Sequence, residues 1–167
     1  MHTVYVISVF LHILAAITWI GGALFIALVL VPLLRRPDMR EQAGQILRLS
    51  GRRLKIIGWV SLLVLLITGV VNVHCRGWLS AMGTEIFWQR REAQALGLKL
   101  GMVGLILVIA FVHDFFIGTR AAKAMSLDRT SPEARRLRFA ASWMGRINLL
   151  LGIGVVFLGV LLVRGVP

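Results

Sequence analysis

Four long, predominantly apolar runs dominate the chain, at residues 4–33, 55–74, 96–117 and 143–164. A helix needs about 20 apolar residues to cross a hydrocarbon core, and each run reaches or approaches that length. Lipid cannot hydrogen-bond an exposed backbone, so apolar segments of this length cross as helices. Hydrophobic residues make up 58% of the 167 residues, against about 45–50% in soluble domains. The expected fold is therefore all-α: an integral membrane four-helix transmembrane bundle, with residues 1–167 forming a single domain. The loops are too short for a core of their own. The first run begins uncharged, "MHTVYVIS", and is about twice as long as a signal-peptide core, so it is expected to stay as a helix.

The net charge of +12 is distributed by loop. The first loop carries Arg35, Arg36, Arg40, Arg48, Arg52, Arg53 and Lys55, and the third carries Arg120, Lys123, Arg129, Arg135, Arg136 and Arg138. The second has Arg76, Arg90 and Arg91, diluted by Glu85 and Glu92. The positive-inside rule places loops one and three in the cytoplasm, and both termini and loop two on the outer, periplasmic side. Topology thus accounts for the charge without nucleic acid, and the basic loops are expected to lie against anionic headgroups of the lipid bilayer. Leu47, Leu49 and Leu54 among the first-loop cations suggest a helix lying in the interface. Trp78, Phe87 and Trp88 in loop two read as an aromatic belt.

Polar residues inside the runs are few. His12 lies within "FLHILAAITWIGGALF", and an imidazole at membrane depth ordinarily faces a partner inside the protein. Ser61, Thr68, Asn72 and Cys75 recur at +7, +4 and +3, which is one helical face. Hydrogen bonding between helices explains Ser61 and Thr68. His74 lies beside the stripe at the outer end. Neutral imidazole binds iron, copper and zinc, and cofactor sites in bundles are built from facing helices. By depth, His12 pairs best with His74, while His113 and Asp114 belong to an inner group with Arg146 and Asn148. For His113, a salt bridge or hydrogen bond at that inner end is the expected role. The single cysteine, Cys75, forms no internal disulfide. It can join two chains, serve as a soft metal ligand or simply fill a helix end.

The stretch "LHILAAITWIGGALFIALVLVPLLR" resembles the first helix of the CopD family, the copper-resistance D membrane domain. It is also similar to the related HemJ-type protoporphyrinogen oxidases. "LLVLLITGVVNVH", "LKLGMVGLILVIAFVHDFFIGTRAA" and "GRINLLLGIGVVFLGVLLVRGVP" resemble the second, third and closing helices, in that order. The CopD resemblance implies a bacterial inner-membrane protein of copper uptake or homeostasis; the residues themselves offer His12 and His74, with Met82 or Cys75, as candidate metal ligands near the outer face. The HemJ resemblance implies a b-type haem held by His12 and carries its helix-three lysine over to Lys99; with His74 or Lys99 as the second ligand, the chain would be an oxidoreductase or electron-transfer subunit. A third expectation is a structural accessory subunit whose polar residues only hold the helices together. Expected partners are a membrane or periplasmic protein, or a second copy of the chain.

Overall fold

The computed structural model describes residues 2–128 and 131–165, with the side chains of Arg40, Glu41 and Ser126 undescribed. The third-loop Arg129 lies outside the described residues. Helices and turns account for the described chain, with no strand among the described residues. The helices are α1 (His2–Phe25), α2 (Val31–Leu34), α3 (Arg40–Cys75), α4 (Trp78–Ala81), α5 (Glu85–Trp88), α6 (Arg91–Val112), α7 (Gly118–Leu127) and α8 (Pro132–Arg164). Four spans are long and apolar enough to cross a membrane: His2–Leu34, Gln42–Cys75, Arg91–Met125 and Pro132–Arg164. Each contains one of the sequence-predicted runs or most of it. Large apolar side chains stay exposed along all four, among them Phe10, Leu28, Leu63, Val108 and Leu150. Helices that are apolar all round belong in a bilayer.

The chain divides into two compact units, one ending at Trp88 and one beginning at Gln89. In the first, α1 and α3 run antiparallel, and a series of contacts fixes their register. The Leu54 methyl stands 3.3 Å from where a Cβ on Gly22 would sit. The Trp19 ring lies 3.8 Å from the corresponding point on Gly58, and His12 lies 3.7 Å from that on Gly69. At the end of the series, Arg76 Nε donates to the Tyr5 hydroxyl at 3.2 Å. Small residues on one helix thus receive large ones from the other, as expected where lipid supplies no hydrophobic drive and close packing must hold helices together.

α1 does not simply stop at Pro32. It widens into a π-helical turn over Ile26–Leu30, in which the Val31 N–H bonds to the Ile26 carbonyl, and then continues as α2. Proline has no N–H to offer and its ring crowds the carbonyl four residues back. Widening the turn before it relieves that conflict without breaking the helix.

The first-loop segment is helical, but it does not form a separate interfacial helix. It is the first part of α3, which runs unbroken for 36 residues, about 54 Å. No proline interrupts it, and one glycine such as Gly51 costs only about 1 kcal/mol. Leu54 turns to α1, while Leu47 and Leu49 stay exposed.

α3 ends where Gly77 takes φ +69°, a left-handed conformation that glycine adopts without a Cβ penalty. Beyond it, α4 and α5 form a small cap. The loop-two aromatics are therefore not simply a lipid-facing belt. Phe87 is buried, with its ring edge-on to Trp78 at 6.0 Å and to Trp88 at 5.4 Å. Trp88 Nε1 donates to the Met82 carbonyl at 2.8 Å.

In the second unit α6 packs antiparallel to α8. Lys99 Nζ reaches 3.4 Å from the Cβ position of Gly159, and the Met102 methyl sits 2.6 Å from that of Gly154. α6 passes into α7 through a second π-helical turn, His113–Ile117, closed by the Gly118 N–H on the His113 carbonyl. α8 opens on Ser131, whose hydroxyl accepts from the Ala134 N–H at 3.2 Å, with Pro132 in the first turn. This is an ordinary N-cap followed by a proline that needs no hydrogen-bond partner there.

Candidate functional site

His12 lies midway along α1 and faces α3. Its Nδ1 is 2.7 Å from Thr68 Oγ1. That hydroxyl is also 2.6 Å from the Val64 carbonyl, one turn back on its own helix. Ser8, one turn before His12 on the same face, donates its hydroxyl to the Thr68 carbonyl at 3.2 Å. Ser8 and Thr68 are buried and His12 is half-buried. The missing side chain of Gly69 lets the imidazole lie close against the α3 backbone. Ser8, His12, Thr68 and Gly69 therefore form a polar seam between two apolar helices. One turn further along the same face of α3, Asn72 Oδ1 is buried with no hydrogen-bond partner.

The hydrogen bonding between helices expected of Thr68 is present, and its partner is the histidine itself. Ser8 escaped the sequence reading. Its signal was the four-residue interval to His12, which puts both on one face. Gly69 stands beside Thr68 in the stretch that carries the second-helix resemblance, but only the tertiary contact shows what its lack of a side chain admits.

Other candidates are dispersed. His74 lies six residues beyond Thr68, about 9 Å further along α3 and about 120° around it. It is exposed. The pairing of His12 with His74 by depth is therefore not one that the structure brings together. His74 instead lines two shallow hollows at the end of α3, of about 320 and 450 Å³. The second is also lined by Cys75, Val4, Val70, Val71 and Leu79. Met82 lies in the cap, half-buried. Lys99 belongs to the second unit, where its ammonium approaches α8 at Gly159. Among the described residues, no group of three or more His, Cys, Asp or Glu side chains is arranged to hold a metal ion.

In the second unit His113 Nδ1 and Asp114 Oδ1 are 2.7 Å apart within the π-helical turn. The interaction expected of His113 is thus made with its neighbour in sequence. Asn148 Oδ1 on α8 is buried without a hydrogen-bond partner.

Gly69 offers a direct test of the seam. A methyl at 3.7 Å from the imidazole is an ordinary contact, so Gly69→Ala should fold and behave as the parent does. The longer side chain in Gly69→Leu would occupy the imidazole's place, and overpacking costs about 1–3 kcal/mol. His12 should then leave Thr68, read as loss of the His12–Thr68 hydrogen-bond signal by NMR. Retention of that signal in Gly69→Leu would contradict the packing described here.

Four long apolar helices and a histidine-centred seam define a multi-pass membrane protein, with a bilayer as its environment. The model of the family described as "Domain of unknown function (DUF4149)" matches residues 14–130. The chain belongs to the DUF4149 family. It is 31% identical over 153 residues to an uncharacterized protein of Aquifex aeolicus (strain VF5), covering 90% of each. It is also 28% identical over 128 residues to the copper transport protein CutJ of Bacillus subtilis (strain 168), covering 77% of this chain but 22% of CutJ. No solved structure matches the chain.

Proposed function

We propose that this protein handles copper in the bacterial inner membrane, with His12 as the intramembrane ligand. The observation that carries the reading is the seam: one imidazole at membrane depth, hydrogen-bonded across to Thr68, in an otherwise apolar helix pair. The similarity to CutJ supports it, as does the CopD resemblance of the same helices. Copper is the cargo here. Imidazole and thiol ligands suit copper, and sulfur favours Cu(I). In this reading the cap end and both termini face the periplasm. His74 and Cys75, with Met82 in the cap, receive the ion there, and His12 holds it deeper. Asn72 Oδ1, a buried acceptor without a donor, suits a cation or a water carried with it. A membrane or periplasmic partner, or a second copy of the chain, would complete delivery.

The second reading is a b-type haem on His12. An imidazole whose Nδ1 is held by a neighbour is a good axial ligand. Axial nitrogens lie about 4 Å apart across the iron, taking each metal–nitrogen bond as about 2 Å. His74, on another side of α3, is not placed to share an iron with His12, so in this reading His12 is the one haem ligand that the first unit supplies. A purely structural role for the seam is the third.

One preparation separates the three readings. Protein purified in detergent is assayed for copper and iron, and its oxidised and dithionite-reduced spectra are compared. Copper bound in proportion to protein, without a haem band, is the expected result. A sharp reduced Soret and α band with iron would replace copper by haem. A colourless protein that takes up neither metal would leave only the structural role.

A further inference from the structure

We propose that Thr68 is a positioning residue that fixes the tautomer of His12, placing the proton on Nδ1 and the ligating lone pair on Nε2. The argument is one of proton count. A threonine hydroxyl has one proton to donate. The Thr68 oxygen stands 2.6 Å from the Val64 carbonyl oxygen. Two oxygens at that distance are held together only by a proton between them, and a carbonyl has none, so the threonine proton lies there. The same hydroxyl is 2.7 Å from His12 Nδ1. With its proton already committed, it can only accept, and Nδ1–H is the donor.

A neutral imidazole with its proton on Nδ1 carries its free pair on Nε2. In water the other tautomer predominates, so the seam holds His12 in the form that solvent disfavours. Two features keep the acceptor in place. Ser8 donates to the Thr68 carbonyl, fixing the local backbone. Gly69 lets the ring approach without a side chain between them. Thr68 is buried, so water does not readily replace it. This is the relation by which outer hydrogen bonds orient metal-ligating histidines. Its functional meaning rests on the metal reading above, while the tautomer itself does not.

The test uses the full-length metal-free protein in detergent micelles, with histidine labelled by ¹⁵N in the ring. Spectra are taken at about pH 8.5, where ordinary imidazoles are neutral. His12 is assigned by its absence from His12→Ala. Long-range proton–nitrogen correlations then show which nitrogen carries the proton. The expected result is Nδ1–H in the parent and in Thr68→Ser, with a shift towards Nε2–H in the near-isosteric Thr68→Val. Cu(I) affinity should fall about 10–100-fold in Thr68→Val and stay near the parent's in Thr68→Ser. Nε2–H in the parent would overturn the proposal, and so would an unchanged Nδ1–H pattern in folded Thr68→Val. The parent spectrum decides the matter if Thr68→Val does not fold. The expected tautomer in a protein that binds neither copper nor haem would uphold the role of Thr68 and remove the metal reading.

Discussion

In the copper reading, replacing His12 with alanine should remove the intramembrane metal ligand while leaving the helices intact. The ring contributes a coordinating nitrogen, and no other histidine is placed on the seam to replace it. His74 sits on another side of α3, and His113 is engaged with Asp114 in the other unit. The affinity for Cu(I), or for haem if the second reading holds, should drop by at least about 100-fold, equivalent to about 2.7 kcal/mol. Folding should survive, because Thr68 keeps its bond to the Val64 carbonyl and Ser8 keeps its bond to Thr68. Losing one hydrogen bond between membrane helices costs about 0.6 kcal/mol on average. Competition with a chelator of known affinity, run beside helical circular dichroism, separates the two effects. Parent-like binding in a folded His12→Ala protein would remove His12 from the site. His74→Ala and Cys75→Ser provide the comparison. In the copper reading they weaken capture at the mouth but leave the deeper ligand.

The second large effect concerns stability of the cap. Phe87 is only 4% exposed and its ring meets both Trp78 and Trp88 edge-on. Phe87→Ala removes the centre of that cluster, and core substitutions of this kind cost about 3–5 kcal/mol. The cap consists of two four-residue helices, too short to persist without packing. The loss should therefore appear as local opening. Amide exchange over residues 78–88 should accelerate by at least about 100-fold, each factor of ten corresponding to about 1.4 kcal/mol. Protection in the central turns of α1 and α3 should stay as in the parent. Because Leu79 and Ser80 line the hollows beside His74, the copper reading expects capture at that end to weaken as well. Unchanged exchange across the cap would show that Phe87 is not its organising residue.

Chain chemistry alone determined the broad architecture. Four apolar runs have no solvent but lipid and no satisfied backbone but helix, so the all-α class and the span positions could be read directly. The same economy singled out His12, since an imidazole in an apolar run must find a polar partner. Helical periodicity placed Thr68 and Asn72 on one face of the second span. Tertiary structure alone decided who meets whom. Periodicity gives the angle of a residue around its own helix but not the register of one helix against another. That register rests on contacts such as Leu54 at Gly22 and Trp19 at Gly58. It brings His12 to Thr68 and Gly69, and it leaves His74 on another side of α3. The continuity of α3 through the first loop belongs instead to the sequence, which has no proline between residues 40 and 75, although apolar patterning does not report it. Phe87 became a core residue because the chain folds back at Gly77, and composition could show only that an aromatic residue was present near the interface.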